Sequence, residues 1–330
     1  MKSPKPLVEI VSTGRFLPDR VVTNSEFEST IDTTDQWIVE RTGIKERRHL
    51  GDQTDVAGMG ISSAGIAMER AGVEAGEIDI IIVSTATPDY LLPSTSCYIQ
   101  AALGASNAMT FDISAACSGW LHGLTMAEGY LSVGHGETAL VIATEQLTAI
   151  TNWEDRSTCV LFGDGSGSAV LKKSDGSRGI LGTHHGSDGN LSGLLHRQSG
   201  GAAVPIDEKN VGNKDDKIKM SGREVFKNAV QRMSESATLA LDRSGLNAED
   251  IDLLIPHQAN FRIIESTARY SGIPMEKVFV NVDRYGNMSS ASIPVAMDEA
   301  LEQGRLSPGM NILAVAFGAG LNWSAVAIRW

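Results

Sequence analysis

One segment of this chain is written twice, and that recurrence restricts the fold more than any other feature. Ala71-Gly72-Val73-Glu74-Ala75-Gly76-Glu77-Ile78-Asp79-Ile80-Ile81-Ile82-Val83 aligns without a gap with Ser244-Gly245-Leu246-Asn247-Ala248-Glu249-Asp250-Ile251-Asp252-Leu253-Leu254-Ile255-Pro256, an offset of 173 residues. Each copy reads as a helix end, a short loop and a buried strand. A second echo follows in the same order. Leu161-Phe162-Gly163-Asp164-Gly165, closing with Ser168-Ala169-Val170, resembles Ala316-Phe317-Gly318-Ala319-Gly320, closing with Ser324-Ala325-Val326, at an offset of 155 rising to 156. Two echoes in one order point to internal duplication, with halves that differ in loop length. In each half continuous apolar runs (Ile80 to Val83, Ala139 to Ala143, Leu253 to Ile255, Ile312 to Phe317) alternate with helical patterns. Strands apolar on both faces belong to covered sheets, which makes the chain α/β and layered. The halves divide as residues 1–180 and 181–330.

Local signals fill in the rest. Thr23 to Arg41 carries helical spacing after the turn chemistry of Pro18-Asp19, and Asp55 to Ala71 reads as a helix with Thr54 as its N-cap. Gly182 to Met220 is rich in Gly, Ser, His and charge, without strong periodicity, and reads as a long functional excursion over the surface. Gly163-Asp164-Gly165-Ser166-Gly167 lacks the lysine of a phosphate loop and precedes a strand-like run; it reads as a tight hairpin.

The 330 residues carry a formal net charge of −12, which argues against a nucleic-acid groove or an anionic membrane as partner. Three cysteines (Cys97, Cys117, Cys159) make neither a disulfide framework nor a zinc pattern, so no metal is expected. The N-terminal stretch lacks the apolar core of a signal peptide, and no segment approaches the roughly 18 apolar residues of a membrane span. The expected location is cytoplasmic, with reduced thiols.

Three residues could do chemistry together. Cys117 follows an apolar strand run, Ala108 to Ile113, and precedes a helical face of Leu121, Leu124, Met126 and Leu131. A helix N-terminus favours negative charge, so a cysteine there is biased toward thiolate, and the small residues around it leave room for a substrate. Taken alone the segment equally fits a small buried hydrophobe. In the second half His257 lies just past a buried strand, beside Pro256, and Asn287 sits in a Gly/Ser-rich loop ahead of a helix. By the duplication, that loop holds roughly the place of the Cys117 segment. All three fall at strand-to-helix transitions, where open α/β sheets bind ligands. The local signature of a cysteine protease is absent.

Taken in order, Asp35-Gln36-Trp37-Ile38-Val39-Glu40-Arg41-Thr42-Gly43-Ile44, Ala115-Ala116-Cys117, Phe162-Gly163-Asp164-Gly165, Pro256-His257-Gln258-Ala259-Asn260 and Gly286-Asn287-Met288-Ser289-Ser290-Ala291-Ser292 give the chain a specific likeness. Nearly end to end it resembles the β-ketoacyl-acyl carrier protein synthase III family, condensing enzymes of the thiolase superfamily. The resemblance implies a duplicated thiolase-like αβαβα five-layer sandwich, a homodimer, and an acyltransferase that starts fatty acid chains. It implies that Cys117 is acylated by an acyl-CoA, with the N–H groups of Cys117 and Ala319 holding the thioester oxyanion. His257 and Asn287 then stabilise the enolate left when malonyl-acyl carrier protein loses carbon dioxide. Trp37 would stack on the coenzyme adenine with Arg156 on its other side; Arg41, Gly222 and Asn260 would complete the coenzyme and pantetheine site. Leu147 would line the acyl pocket, with Leu92 entering it from the partner subunit. Arg262, with Arg223, Lys227 and Arg269, would form a basic patch for the acidic carrier protein. Coenzyme A enters as a substrate thioester, and no resident cofactor is implied.

Departures bear on the substrate. Arg223 follows Gly222 where the family often has Asn, Leu92 stands where a bulky aromatic is common, and Ala319 replaces the middle glycine of a triple-glycine turn. A relative using unusual starters, or transferring acyl groups to a hydroxyl or amine without decarboxylation, would use the same residues. A non-catalytic acyl-thioester binding protein is the rival of another class.

Overall fold

The computed structural model describes residues 5–330. In chain order the first half supplies strands β1 (Val8–Phe16), β2 (Arg20–Thr23), β3 (Glu46–His49), β4 (Ile80–Ser84), β5 (Met109–Ile113), β6 (Thr138–Gln146) and β7 (Asp164–Lys173). Its helices are α1 (Asn24–Glu28), α2 (Asp35–Thr42), α3 (Val56–Ala71), α4 (Thr95–Leu103), α5 (Gly119–Ser132) and α6 (Arg156–Cys159). The remainder contributes β8 (Gly179–Ser187), β9 (Leu195–Arg197), β10 (Ile218–Met220), β11 (Leu253–Pro256), β12 (Asn311–Gly318) and β13 (Asn322–Arg329). Between these strands run α7 (Gly222–Ser244), α8 (Phe261–Tyr270), α9 (Val282–Tyr285) and α10 (Ser292–Glu302).

The apolar strands build two sheets, in the orders β1-β7-β6-β4-β5 and β11-β12-β13-β8. Their side chains alternate between two cores. Ile80, Ile82, Val141, Ile255, Ile312 and Ala314 face one central core, shared with Leu121, Leu124, Ile293 and Met297 of α5 and α10. Ile81, Val83, Leu140 and Ile142 face outward onto α3, while Leu254, Leu313 and Val315 face α7 and α8. A strand buried on both faces needs no polar side, which is why these runs read as continuously apolar. The result is five layers: α3 and α4, a sheet, α5 and α10, a second sheet, then α7 and α8.

The repeat spacing reappears in the coordinates. The strands β4 and β11, the strands β6 and β12, and the helices α5 and α10 each begin 173 residues apart. The repeated aspartate has one job in both copies. Asp79 accepts the N–H of Thr138 at 3.0 Å, and Asp252 accepts that of Asn311 at 2.9 Å, so each ties a loop to the start of the next strand. The spacing shortens further on because Leu147–Gly163, including α6, separates β6 from β7, whereas β12 turns into β13 across Ala319–Leu321.

Three local expectations need correction. The helix α3 is capped by Asp55, whose side chain accepts from Gly58 N–H, and not by Thr54. The stretch from Thr23 to Arg41 holds two short helices, α1 and α2, separated by a break at 29–34. Gly163–Gly167 is no hairpin: Asp164 opens β7, and the glycines are there for close approach. A Cβ on Gly165 would meet Met288 Sδ at 2.7 Å, and one on Gly167 would meet Pro294 Cβ at 2.7 Å. The thin strand lets the Asn287 loop and α10 settle onto it.

Candidate active site

The turn after β5 positions Cys117. Ala115 leaves the strand, Ala116 takes φ of 47°, a left-handed conformation rare for a residue with a Cβ, and a single 3-10 turn, Ala116–Ser118, feeds α5. The second half repeats this device: Ser289 has φ of 49°, and the turn Ser289–Ala291 feeds α10. Cys117 and the Asn287 loop therefore face each other from equivalent places. Gly318, at the end of β12, closes the third side. A Cβ there would lie 2.6 Å from Cys117 N, so only glycine admits the nucleophile segment.

Cys117, His257, Asn287 and Ala319 line one cavity of about 260 Å³, together with Leu147, Phe317, Gly222, Phe226 and Asn260. Leu195, His196, Arg197, Ile218 and Met220 also line it, which gives the long excursion between β8 and α7 a place in the site. The walls are mostly apolar, suited to an acyl chain or a pantetheine arm.

Hydrogen bonds fix both second-half side chains. Asn287 Oδ1 accepts the N–H of Ser289 at 2.9 Å, which leaves the amide NH2 as the group free to donate. His257 is buried, and its Nδ1 meets Ser292 Oγ at 2.8 Å. Ser292 gives its only proton to the carbonyl of Ser289 at 2.5 Å. Nδ1 must then be the donor to Ser292, so Nε2 carries a lone pair in the resting state. The proton that an enolate-stabilising His257 would present at Nε2 therefore sits on Nδ1 at rest. Burial pushes the His257 pKa down to about 3, so the ring is neutral at pH 7.

Cys117 also departs from expectation. Burial first, then the negative charge of Glu145, push its thiol up to about 12, against a hydrogen bond from Ser289. A helix N-terminus is worth about 0.3–1 kcal/mol, less than one pKa unit, and does not reverse this. The resting group is the thiol.

The other expected residues fall into separate groups. Trp37 lies on α2 with the Arg41 guanidinium 4.8 Å and that of Arg156 4.7 Å from its ring centre. Arg156 also donates to Asp32 O at 2.6 Å. No base fits between Arg156 and Trp37 at that distance; the guanidinium has to swing aside first. Asn260 joins this region to the cavity, capping α8 through Arg262 N–H at 2.9 Å and donating to Arg41 O at 3.0 Å. Arg223, Lys227 and Arg262 are exposed at the N-terminal ends of α7 and α8, and Arg262 lies 5.8 Å over Phe226. Arg269 is set apart at the far end of α8, about 10 Å along its axis, stacked on Tyr270. Leu92 does not reach the cavity of its own chain; it is 87% exposed on a loop beside α4.

Sequence reasoning passed over Glu145, Ser289 and Ser292. The available signal was a glutamate closing an otherwise apolar strand, and hydroxyls in a loop read only for Asn287.

The fold and this cavity define an α/β acyl-handling class of protein, with a thiol at the foot of an apolar pocket between two sheets. Residues 111–189 match the family model for 3-oxoacyl-[acyl-carrier-protein (ACP)] synthase III, and residues 241–330 match the model for its C-terminal part. A β-ketoacyl-[acyl-carrier-protein] synthase III of Desulfitobacterium hafniense is 48% identical over 323 residues, covering 98% of each chain. The solved 3-oxoacyl-[acyl-carrier-protein] synthase III of Aquifex aeolicus superposes with TM-score 0.91 at 43% identity, covering 98% of this chain and 100% of that one. The priming β-ketosynthase of the R1128 polyketide pathway gives TM-score 0.90 at 35% identity, covering 100% and 98%. The chain belongs to the β-ketoacyl-[acyl-carrier-protein] synthase III family and has its thiolase fold.

Proposed function

We propose that this enzyme condenses an acyl-CoA primer with malonyl-acyl carrier protein and so initiates fatty acid chains. The observation that carries the reading is the meeting of Cys117, His257 and Asn287 in one apolar cavity, in a chain 48% identical over nearly its whole length to a β-ketoacyl-[acyl-carrier-protein] synthase III.

Cys117 attacks the acyl-CoA carbonyl, losing its thiol proton and forming a sulfur–acyl bond as the coenzyme sulfur leaves and takes up a proton to become the free thiol. Backbone N–H groups of Cys117 and Ala319, brought together by Gly318, hold the oxyanion. The malonyl thioester then enters. Its carbon–carbon bond to the carboxylate breaks, carbon dioxide leaves, and charge collects on the thioester oxygen. The Asn287 amide is already fixed as a donor to that oxygen. His257 joins it as the other tautomer, with a proton taken up at Nε2 from solvent and the Nδ1 proton given up to solvent, after which Ser292 turns its own hydroxyl to donate to Nδ1. That exchange gives up the Ser292 bond to Ser289 O, worth about 1 kcal/mol. The enolate carbon attacks acyl-Cys117 and releases the 3-oxoacyl chain.

Trp37, Arg41 and Arg156 receive the coenzyme head, Gly222 and Asn260 border the pantetheine arm, and Leu147 lines the acyl end. Arg223, Lys227 and Arg262 form the carrier-protein patch at the ends of α7 and α8, with Arg269 peripheral to it. The reading requires no metal or resident cofactor and places the enzyme in the cytoplasm as a homodimer. None of the described helices is long and apolar enough to cross a membrane. A starter other than a simple acyl group is the second reading, favoured by the likeness to the R1128 priming ketosynthase.

Mass spectrometry after mixing with acetyl-CoA and other acyl-CoAs tests the reading. An acyl adduct on Cys117 is expected; no adduct from any primer would leave a binding protein as the better account.

A further inference from the structure

Among the described residues that line the Cys117 cavity, Arg197 alone carries a permanent charge. Its guanidinium stays ionised at any working pH and offers its donors in a planar fork. The lysines of the same excursion are taken up: Lys214, Lys217 and Lys219 meet the carboxylates of Glu154, Asp216 and Asp215. Among the described residues Arg197 has no such partner. A free cation on an apolar wall is a place for an anion.

The strands β9 and β10 set where that anion would lie. Arg197 pairs with Ile218, and Leu195 with Met220, so the four side chains share one face of the hairpin and all line the cavity. Leu195 is half-buried and Arg197 exposed, which puts the guanidinium at the rim. It rests against Gly200, where a Cβ would come within 2.8 Å of Nη2. The N–H groups of Gln198 and Ser199 both donate to Asp215 O, at 3.1 and 2.9 Å, and fix the backbone beside it. On the same hairpin Lys217 Nζ donates to Ala149 O at 3.0 Å, and Lys214 reaches Glu154 at 3.1 Å. These bonds tie the Arg197 end to the segment leading into α6 and Arg156, on the side of the coenzyme head.

Both substrates of the condensing reading carry their thioester on a pantetheine arm, with a phosphate at the arm's other end. In coenzyme A that phosphate begins the diphosphate; on carrier protein it is the diester to the protein. When the thioester lies at Cys117, the phosphate lies toward the rim. We propose that Arg197 binds the phosphate of the pantetheine arm, for acyl-CoA in the first half-reaction and for malonyl-carrier protein in the second. The inference rests on the condensing reading above. A planar fork suits two phosphate oxygens. The malonyl carboxylate is not the partner, because it has to lie beside His257 and Asn287, which are buried, whereas Arg197 is exposed. Trp37, Arg41 and Arg156 are left for the nucleotide, which carrier protein lacks.

The test compares acetyl-pantetheine with acetyl-phosphopantetheine, thioesters that differ only in the phosphate, by the rate of adduct formation on Cys117. Wild-type enzyme should react about tenfold or more faster with the phosphorylated thioester, and Arg197→Gln should bring that ratio to about one. Arg197→Lys keeps the charge without the fork and should fall between them. A ratio near one in wild type, or an unchanged ratio in Arg197→Gln, overturns the proposal and leaves the condensing reading standing. A purely structural role for Arg197 would lower both rates together and leave the ratio unchanged, which is that same contrary result. Two further arms separate the sources of the phosphate. In Arg197→Gln, KM for acetyl-CoA in adduct formation and KM for malonyl-carrier protein in condensation should both rise, more than kcat falls. A rise confined to one of them would overturn the shared site. Absence of an adduct from any thioester in wild type would instead sink the condensing reading.

Discussion

His257 takes its tautomer from a serine, and Asn287 takes its orientation from a backbone N–H. The two donors meant for the enolate are therefore unequal. Asn287 is ready, while His257 needs Ser292 to move first. Ser292→Ala removes the hydroxyl that steers Nδ1 and lies away from Cys117. Carbon dioxide release from malonyl-carrier protein is expected to fall about tenfold, equivalent to about 1.4 kcal/mol, with acyl-adduct formation nearly unchanged. Equal losses in both half-reactions would mean that Ser292 only supports the fold.

Among the elements, the coenzyme-facing wall depends on one buried cation. The Arg47 guanidinium donates to Val22 O at 3.2 Å and Asn24 Oδ1 at 2.9 Å, on the α1 side, and to Val160 O at 2.6 Å, just after α6. Arg156 is on α6, and Asn24 in turn donates to Asp35 Oδ1 at 2.8 Å, at the start of the α2 helix that carries Trp37. Desolvation lowers its pKa to about 10, still charged at pH 7. Arg47→Met would strand three buried acceptors. A loss of about 3 kcal/mol is expected, seen as a lower melting temperature, with a raised KM for acyl-CoA. An unchanged melting temperature would contradict the assignment. Arg47 was invisible in the sequence, since nothing in Lys45-Glu46-Arg47-Arg48 distinguishes a buried arginine from an exposed one. The strands were legible for the opposite reason, because burial on both faces leaves an unbroken apolar run. The Cys117 turn was legible as a strand-to-helix junction, but its protonation was not: it depends first on burial and then on Glu145, 28 residues on in the chain, and both come only with folding. The glycines of β7 were misread because a thin strand and a tight turn use the same residue, and only the partners Met288 and Pro294 tell them apart.

For the whole molecule, two sheets present equivalent loops to one cavity, and we propose the boundary at residue 180 between the units that supply them. The first sheet ends on β5, an unpaired edge with Met109 exposed, and the neighbouring loop holds Leu91 and Leu92 at 81% and 87% exposure. An open edge beside exposed leucines is a pairing surface, in keeping with the proposed homodimer. Sedimentation should give a dimer. Leu92→Phe, by narrowing the partner's acyl pocket, should shift preference toward shorter primers, read as kcat/KM across acetyl- to octanoyl-CoA. A monomer, or a variant with the wild-type primer profile, would remove Leu92 from the acyl pocket.

The central claim is a division of labour between the two halves, and the two half-reactions read it directly in Cys117→Ala and Asn287→Ala. Acyl-adduct formation from acetyl-CoA and carbon dioxide release from malonyl-carrier protein should be measured on both. Cys117→Ala is expected to form no adduct yet still release carbon dioxide, and Asn287→Ala to form adduct at near wild-type rate while decarboxylation falls by at least about a hundredfold. Loss of adduct formation to the same extent in both variants would contradict the account.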